Sequence, residues 1–402
     1  MNASALWKSV TRPERKKPLR YAALVLALTG GVSQAQEGGM EREAAFHGFA
    51  SFGYVATSGN HFYGETRGGG DVDYYELGLN GFLRLHPRLS ASGQVLARKA
   101  GETDDGKPRL DYAFLDYQLP AGPTARYGVR LGRVRNPLGF YNESRDVVFT
   151  RPSILLPQSV YLEGTGVREL VFSSDGGQFY SDWDHANSHT SARLTLAMDR
   201  DVSEQSRRNL LGDTSSIAPY TPTGIKMRRP LFGQVLHEID GGRLRLALSF
   251  LDTRLTGQLV APALPSEPVS ISARMIILSA QYNAEDWTLT SEYSLTSSRS
   301  ELFGMRSINR SDGVYLQYQY RFSPEWSGLL RQDLSYPDRN DRGSNVSRDT
   351  TVGLIWSPRP EWLVSGEFHR IAGTGGVPVA DNRGLTLAPR TDLFALMLGY
   401  RF

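Results

Sequence analysis

The 402-residue sequence contains no cysteine, which excludes disulfide bonds and thiolate chemistry. Beyond its N-terminal segment it has no uninterrupted apolar run of roughly 18 residues, the length that indicates a transmembrane helix. Lysine is also scarce there, since only Lys99, Lys107 and Lys226 follow the N-terminal segment. The positive charge of the main part of the chain therefore comes almost entirely from arginine.

Residues 1–35 have the pattern of a secretory signal peptide. Basic residues precede the short apolar run Tyr21–Thr29, and Ser33-Gln34-Ala35 places small residues where a signal peptidase cuts. The apolar run is shorter than the about 20 residues that a membrane-spanning helix needs. We therefore predict cleavage after Ala35 and a mature chain, 36–402, that forms a single domain.

Removal of this leader changes the charge balance. The leader has a net charge of +5 and the whole chain +3, which leaves −2 for the mature chain. The basic isoelectric point thus belongs to the leader and does not indicate a nucleic-acid partner.

The mature chain consists of runs of about ten residues that alternate in polarity and are separated by turn residues, which is typical of transmembrane β-barrels. In the last run Phe394, Leu396, Leu398, Tyr400 and Phe402 share one face. In a soluble sheet one face is exposed to water, and such a face would not carry so many aromatic residues. The pattern therefore favours a barrel in a membrane.

The connections predict the number of strands. Seven short turns alternate with eight long segments, which include 99–107 and 297–311, if Val167–Trp183 is one strand with a bulge at Asp175-Gly176-Gly177. This gives an all-β, 16-stranded antiparallel transmembrane barrel, and barrels of this size leave an aqueous channel.

The third long segment, 133–165, differs from an ordinary solvent-exposed loop. It combines several charged residues with the apolar residues Phe140, Tyr141, Phe149 and 154–157. Loops of this length inside a compact fold are uncommon and usually functional. We predict that this external loop folds back against the inner wall and narrows the lumen.

Alternation places many charged side chains towards the lumen, because an arginine at the middle of the lipid layer costs roughly 2–4 kcal/mol. Rings of charged side chains set ion preference in pores. The predicted constriction residues are Arg126, Arg130, Glu143, Arg145, Asp146 and Arg151. Further predicted pore-lining residues are Glu76, Asp116, Arg193, Arg243, Arg245, Arg321 and Arg331, with Glu292, Asp333 and Glu367 as additional acids.

The tryptophans of the mature chain all lie within a few residues of a predicted short turn. Aromatic side chains collect at membrane interfaces because they combine an apolar body with a polar edge. We predict that a periplasmic aromatic girdle is formed by Trp183, Trp287, Trp326, Trp356, Trp362 and Phe402.

Two motifs resemble those of Gram-negative outer-membrane porins, in particular the phosphate-selective porin group and its relatives. The chain ends Leu398-Gly399-Tyr400-Arg401-Phe402, and Leu131-Gly132-Arg133 is followed by Pro137-Leu138-Gly139-Phe140 and Ser144-Arg145-Asp146. The resemblance implies a trimeric passive channel for small hydrophilic solutes, surrounded by outer-membrane lipid and inserted by the barrel-assembly machinery. It implies no cofactor. Phosphate selectivity is not expected, because the mature chain has almost no lysine.

Other functions are compatible with the sequence. A Ser–His hydrolase site on the barrel is one, since His47, His237 and His369 lie on predicted strands, although no Gly-x-Ser-x-Gly motif is present. A barrel that binds a surface partner through its long loops is another. Asp182, Asp184, His185 and His189 have spacings that could suit a metal, but they lie in a predicted turn, which favours a solvated segment.

Overall fold

The computed structural model describes residues 43–161, 163, 168–211, 219–343 and 346–402. The predicted signal peptide and its cleavage site lie outside these residues.

Sixteen antiparallel strands form one closed barrel, as the sequence predicts. The last strand pairs with the first, with Tyr400 opposite Ala50 and Leu398 opposite Phe52. The strands are β1 (Ala44–Thr57), β2 (Asp71–His86), β3 (Leu89–Ala100), β4 (Asp104–Leu119), β5 (Ala125–Arg135), β6 (Ser173–Asp184), β7 (Ser188–Ala197), β8 (Thr221–Ile239), β9 (Leu244–Val260), β10 (Glu267–Asn283), β11 (Trp287–Leu302), β12 (Met305–Arg321), β13 (Trp326–Tyr336), β14 (Ser347–Arg359), β15 (Trp362–Gly373) and β16 (Arg390–Arg401). A two-residue strand, Arg200–Asp201, also pairs with β8.

Burial alternates along the strands because successive side chains point to opposite faces. On β9, Leu246 and Leu248 are exposed, whereas Ala247, Ser249 and Leu251 between and beyond them are buried. The exposed face of the barrel is therefore apolar and suited to lipid, and the opposite face carries polar side chains.

The two ends of the barrel differ in their connections. At one end the predicted short turns are present, at 87–88, 120–124, 185–187, 240–243, 284–286, 322–325 and 360–361. At the other end two predicted long loops are wrong. Strands β3 and β4 are joined by 101–103, and β11 and β12 by Phe303-Gly304, which both have positive φ. Strand pairing continues here without apolar residues, because β ladders need only backbone hydrogen bonds.

The prediction of one long strand over Val167–Trp183 is correct in part. Strand β6 begins only at Ser173, after helix α2 (Arg168–Phe172). Gly176 and Gly177 pair with Gly132 and Leu131 in continuous register. The chain thus crosses this point as a strand, without the predicted bulge and without a hairpin that would change the strand count.

Three short α-helices occur in the described residues, namely α1 (Gln158–Tyr161), α2, and α3 (Glu204–Leu211). None of them is long and apolar enough to cross a membrane.

Candidate functional site

The connection between β5 and β6, residues 136–172 and here called the β5–β6 segment, is bonded to strands that are far apart in the barrel. Gly139 N donates to Ser249 Oγ on β9 at 3.1 Å. Ser159 N donates to Asp333 on β13 at 3.3 Å, and Leu155 N donates to Glu367 on β15 at 3.2 Å. The segment is thus attached to polar side chains of several non-neighbouring strands.

Glu292 on β11 is the most heavily bonded of these attachments. One carboxylate oxygen accepts from Phe140 N at 2.9 Å and from Ser279 Oγ at 2.6 Å. The other accepts from Tyr161 Oη at 2.5 Å and from Tyr315 Oη at 2.8 Å. The side chain is fully buried, so these four bonds replace its hydration.

Arg331 on β13 makes a second attachment. Its guanidinium donates to Ser153 Oγ at 3.0 Å and to the carbonyl oxygen of Leu155 at 2.9 Å. Nearby, His369 contacts Glu367 at 3.2 Å and Asp349 at 2.8 Å. All these side chains are buried. They form a polar surface that contacts residues 153–155 of the β5–β6 segment.

The apolar residues of the segment pack against apolar side chains on the strand faces that also carry its polar partners. Leu138, Tyr141 and Val160 belong to a buried cluster with Phe232 and Ile277. Val148, Ile154 and Leu155 belong to a second cluster that includes Leu393 and Met397. This packing explains the unusual amount of apolar surface in the segment.

Gly313 on β12 allows the segment to approach the wall closely. A Cβ atom at this position would lie 2.7 Å from both the Cβ and the carbonyl oxygen of Ser159. Real Cβ atoms do not make contacts this short, so a larger residue would force α1 away from the strand.

A cluster of buried charged residues fixes the part of the β5–β6 segment that contains Arg151 and Glu163. Arg151 lies 2.9 Å from Glu76, and Arg98 lies 3.3 Å from Glu76 and 3.2 Å from Glu163. Arg98 also reaches Asp104 at 3.3 Å. Because each charge has partners of opposite sign, the cluster avoids the large cost of an isolated buried charge.

The cluster continues around Asp146. This buried carboxylate pairs with Arg168 and, at 3.2 Å, with Arg135, which also pairs with Asp111 at 2.9 Å. Arg145 is fully buried and donates to the carbonyl oxygen of Tyr161 at 3.1 Å. Three predicted constriction residues, Arg145, Asp146 and Arg151, are therefore buried in ion pairs and hydrogen bonds.

Six members of this cluster were not predicted from the sequence, namely Arg98, Asp104, Asp111, Arg135, Glu163 and Arg168. A signal existed for Arg98, because strand alternation places it on the same face as the polar residue Gln94, whereas Val95 and Ala97 lie on the other face. Arg168 gave no usable signal, because its stretch had the alternation of a strand.

Other predicted residues remain accessible to solvent. Arg126 pairs with Asp182 at 2.7 Å, and its side chain is 61% exposed whereas that of Asp182 is 12% exposed. Arg130 pairs with Asp116 at 3.0 Å, with exposures of 25% and 14%. In both pairs the guanidinium is more exposed to solvent than the carboxylate.

The structure also brings two arginines of other strands to the β5–β6 segment. Arg193 on β7 pairs with Glu143 of the segment. Arg245 on β9 lies over the ring of Phe140 and pairs with Glu238 at 2.7 Å.

Arg243 and Arg321 do not join this group. Arg243 donates to Tyr282 Oη at 2.9 Å, and Arg321 lies 3.7 Å from Asp286 in a short turn. Both lie at the short-turn end of the barrel.

The predicted girdle residues lie next to the short turns and contact other aromatic rings. Trp326 and Trp356 stack with centroids 5.6 Å apart. Trp362 lies 4.7 Å from Tyr400, which neighbours Phe402 at 6.3 Å. Trp183 packs on Tyr127 at 6.2 Å, and Trp287 packs on Tyr282 at 5.4 Å.

His189, His237 and His369 contact neighbouring carboxylate or hydroxyl groups. His189 contacts Asp184 at 2.7 Å, but the described residues contain no group of three or more His, Cys, Asp or Glu side chains that could hold a metal ion. His237 and His369 contact the hydroxyls of Thr190 and Thr351, at 2.9 and 3.1 Å.

No model of a known protein family matches the sequence, and no curated protein matches it. Solved structures do match the fold. The anion-selective porin from Comamonas acidovorans has a TM-score of 0.55 and 14% identity, over 90% of this chain and 100% of that chain. The outer membrane channel DcaP of Acinetobacter baumannii has a TM-score of 0.54 and 13% identity, over 93% and 100%.

The trimer form of OmpT, an outer membrane protein of Vibrio cholerae, has a TM-score of 0.56 and 10% identity, over 90% and 99%. These likenesses extend over nearly the whole length of each protein. The chain therefore has the fold of the 16-stranded barrels of Gram-negative outer-membrane porins.

Proposed function

We propose that this protein is a porin of the Gram-negative outer membrane, a passive diffusion channel for small hydrophilic or ionic solutes. The observation that carries the proposal is the attachment of the β5–β6 segment to polar side chains on β9, β11, β13 and β15. A segment with such partners lies within the barrel and narrows its lumen. The exposed apolar face supports the membrane location.

Two groups of charged residues have different roles in this channel. Arg145, Asp146 and Arg151, together with Arg98 and Arg168, hold the shape of the β5–β6 segment, because they are buried in mutual ion pairs. Solutes do not reach buried groups, so this cluster fixes the width of the pore.

The accessible arginines set the charge preference. Arg126, Arg130, Arg193 and Arg245 come from β5, β7 and β9, and for Arg126 and Arg130 the paired carboxylate is less exposed than the guanidinium. A narrow lumen strengthens the effect of such fixed charges on passing ions. The channel therefore prefers anions.

The aromatic residues at the short-turn end indicate how the barrel is oriented in the membrane. Trp183, Trp287, Trp326, Trp356 and Trp362 form the periplasmic girdle with Phe402, since short turns are periplasmic in such barrels. The long connections then lie outside the cell. The protein assembles as a homotrimer, as does the similar OmpT of Vibrio cholerae in its trimer form. It is inserted by the barrel-assembly machinery, in line with its C-terminal residues.

Planar-bilayer recording of the refolded protein tests the proposal. We expect stepwise single-channel conductance and, across a salt gradient, a reversal potential of the sign for anion preference. Arg193→Glu reverses a charge without entering the buried cluster and shifts the reversal potential towards cations. A folded barrel without conductance would refute the channel function, and a cation-selective wild type would refute the role of the arginines.

A further inference from the structure

Only a small part of the β5–β6 segment is accessible to a solute. Most side chains of residues 136–161 are buried, including those of Arg145, Asp146 and Arg151. The side chains in this range that are exposed or half-buried are Phe140, Glu143, Ser144, Val147, Phe149, Thr150 and Gln158. These residues therefore decide which solutes the segment can bind.

The accessible side of the segment is largely apolar. Phe140, Val147 and Phe149 are here called the apolar segment surface. Within residues 136–161 the accessible charged side chain is that of Glu143, and it already pairs with Arg193 of β7. A solute that touches the segment thus meets hydrocarbon side chains more than charged groups.

Arginines form a column on the neighbouring wall. Arg130 and Arg126 of β5 pair with positions 178 and 182 of β6, and Arg193 of β7 pairs with position 180 between them. Two residues along a strand span about 7 Å. The three arginines therefore occupy successive rows of the same strand face, over a height of roughly 14 Å.

Guanidinium groups also lie directly beside the apolar segment surface. Arg245 of β9 lies 5.0 Å from the ring centre of Phe140, and Arg401 of β16 lies 4.7 Å from that of Phe149. Such cation–π contacts hold a positive charge close to an aromatic ring. Positive charge and accessible apolar surface therefore occur side by side.

We propose that the channel selects organic anions with an apolar body, such as aromatic monocarboxylates, over hydrophilic anions of the same charge and similar size. Guanidinium groups bind the carboxylate through charge-assisted hydrogen bonds. The apolar body contacts Phe140, Val147 and Phe149 and leaves water. A hydroxylated anion gains the first of these interactions but not the second. The inference rests on the proposed function, because it requires the β5–β6 segment to border the lumen.

The contrast between benzoate and shikimate in planar-bilayer recordings of the refolded protein tests the proposal. Both are ring monocarboxylates, but shikimate carries hydroxyl groups where benzoate is apolar. Benzoate should halve the chloride current at roughly one tenth of the shikimate concentration, the effect of removing roughly 60 Å² of apolar area from water.

Val147→Asn removes one accessible apolar side chain without touching an arginine. It should raise the benzoate concentration that halves the chloride current about threefold, the effect of losing roughly 30 Å² of apolar contact. The shikimate concentration should stay unchanged. Val147→Thr keeps the shape of the side chain and should shift the benzoate value in the same direction, so the test does not depend on folding of the asparagine variant alone.

Ser144→Asn is the matched control. It places the same amide group at a nearby accessible position that is already polar, so no apolar contact is lost. Its benzoate value should equal that of the wild type. An equal shift in this control and in Val147→Asn would show that the amide, and not the lost apolar contact, causes the effect, and would overturn the proposal.

Two further results would overturn it. They are equal potency of benzoate and shikimate in the wild type, and a wild-type benzoate value in both Val147 variants. The chloride current recorded before any organic anion is added reports the channel function by itself. A barrel that conducts chloride but does not distinguish the two carboxylates refutes this inference alone, whereas a folded barrel without chloride current refutes the channel function.

Discussion

Glu292→Gln should release part of the β5–β6 segment without unfolding the barrel. The carboxylate accepts two hydrogen bonds on each oxygen, and glutamine keeps one acceptor and replaces the other by an NH₂ donor. Tyr161 Oη already accepts from Tyr141 N at 2.9 Å, so its own proton would face the new amide donor. The reverse orientation of the amide would place that donor against Phe140 N–H.

The size of the expected effect of Glu292→Gln follows from the hydrogen bond that is lost. A hydrogen bond to a charged group contributes about 1.5–3 kcal/mol, so losing the bond from Tyr161 raises the population of a released segment roughly 10- to 100-fold. We expect frequent transitions to a larger conductance in single-channel recordings. Trypsin should also cleave after Arg145, which is buried in the wild type.

Tyr315→Phe is the matched control for this experiment. It removes one of the four donors to Glu292 and keeps the carboxylate together with both bonds from the β5–β6 segment. Its conductance and protease resistance should resemble those of the wild type. A folded Glu292→Gln barrel with wild-type conductance and wild-type resistance would refute the role assigned to this attachment.

Three further predictions concern the wall, the charge and the external loops. Gly313→Val should lower the single-channel conductance, because a side chain at this position would push Ser159 away from the wall and further into the lumen; unchanged conductance would contradict the contact. Arg130→Glu should shift the reversal potential towards cations by an amount that shrinks at high salt, because screening weakens fixed charges; a shift independent of salt would contradict this. Burial raises the pKa of Asp381, in the long connection 374–389, to about 6. The folded loop therefore binds this proton more tightly than the unfolded chain does, and the stability of the fold should increase as the pH falls from about 6 to about 4. Asp381→Asn should remove that increase from thermal unfolding curves, and an unchanged pH profile would contradict the assignment.

The sequence predicts the barrel well where apolar alternation is under physical constraint. Lipid requires an apolar residue at every second position, and short turns require turn residues, so the strand count and the short-turn end could be derived. The strand β16 illustrates this, since Phe394, Leu396 and Leu398 are all exposed on one face.

Beyond the lipid layer this constraint disappears, and the prediction becomes weaker. Residues 297–311 are rich in Ser and Arg and have the composition of a loop, yet Ser297 and Ser298 pair with Arg310 and Asn309 in a regular ladder. Backbone hydrogen bonds alone maintain such a ladder, and they leave no pattern in the side chains.

The charged residues show a similar division. Their number in the β5–β6 segment was visible in the sequence, but their pairing was not. Arg151 meets Glu76, which lies 75 positions earlier, and Ile154 and Leu155 meet Glu367 of β15. Such contacts depend on how the barrel closes, and the spacing of residues in one sequence does not contain that information.

The most direct test of the central claim is thiol labelling in the naturally cysteine-free chain. A single cysteine at Glu143, which pairs with Arg193, should lie at the narrow part of the lumen. We predict that a bulky thiol reagent lowers the single-channel conductance of Glu143→Cys, whereas Leu248→Cys on the exposed face is unaffected. Complete labelling of Glu143→Cys with unchanged conductance would contradict a β5–β6 segment that narrows the pore.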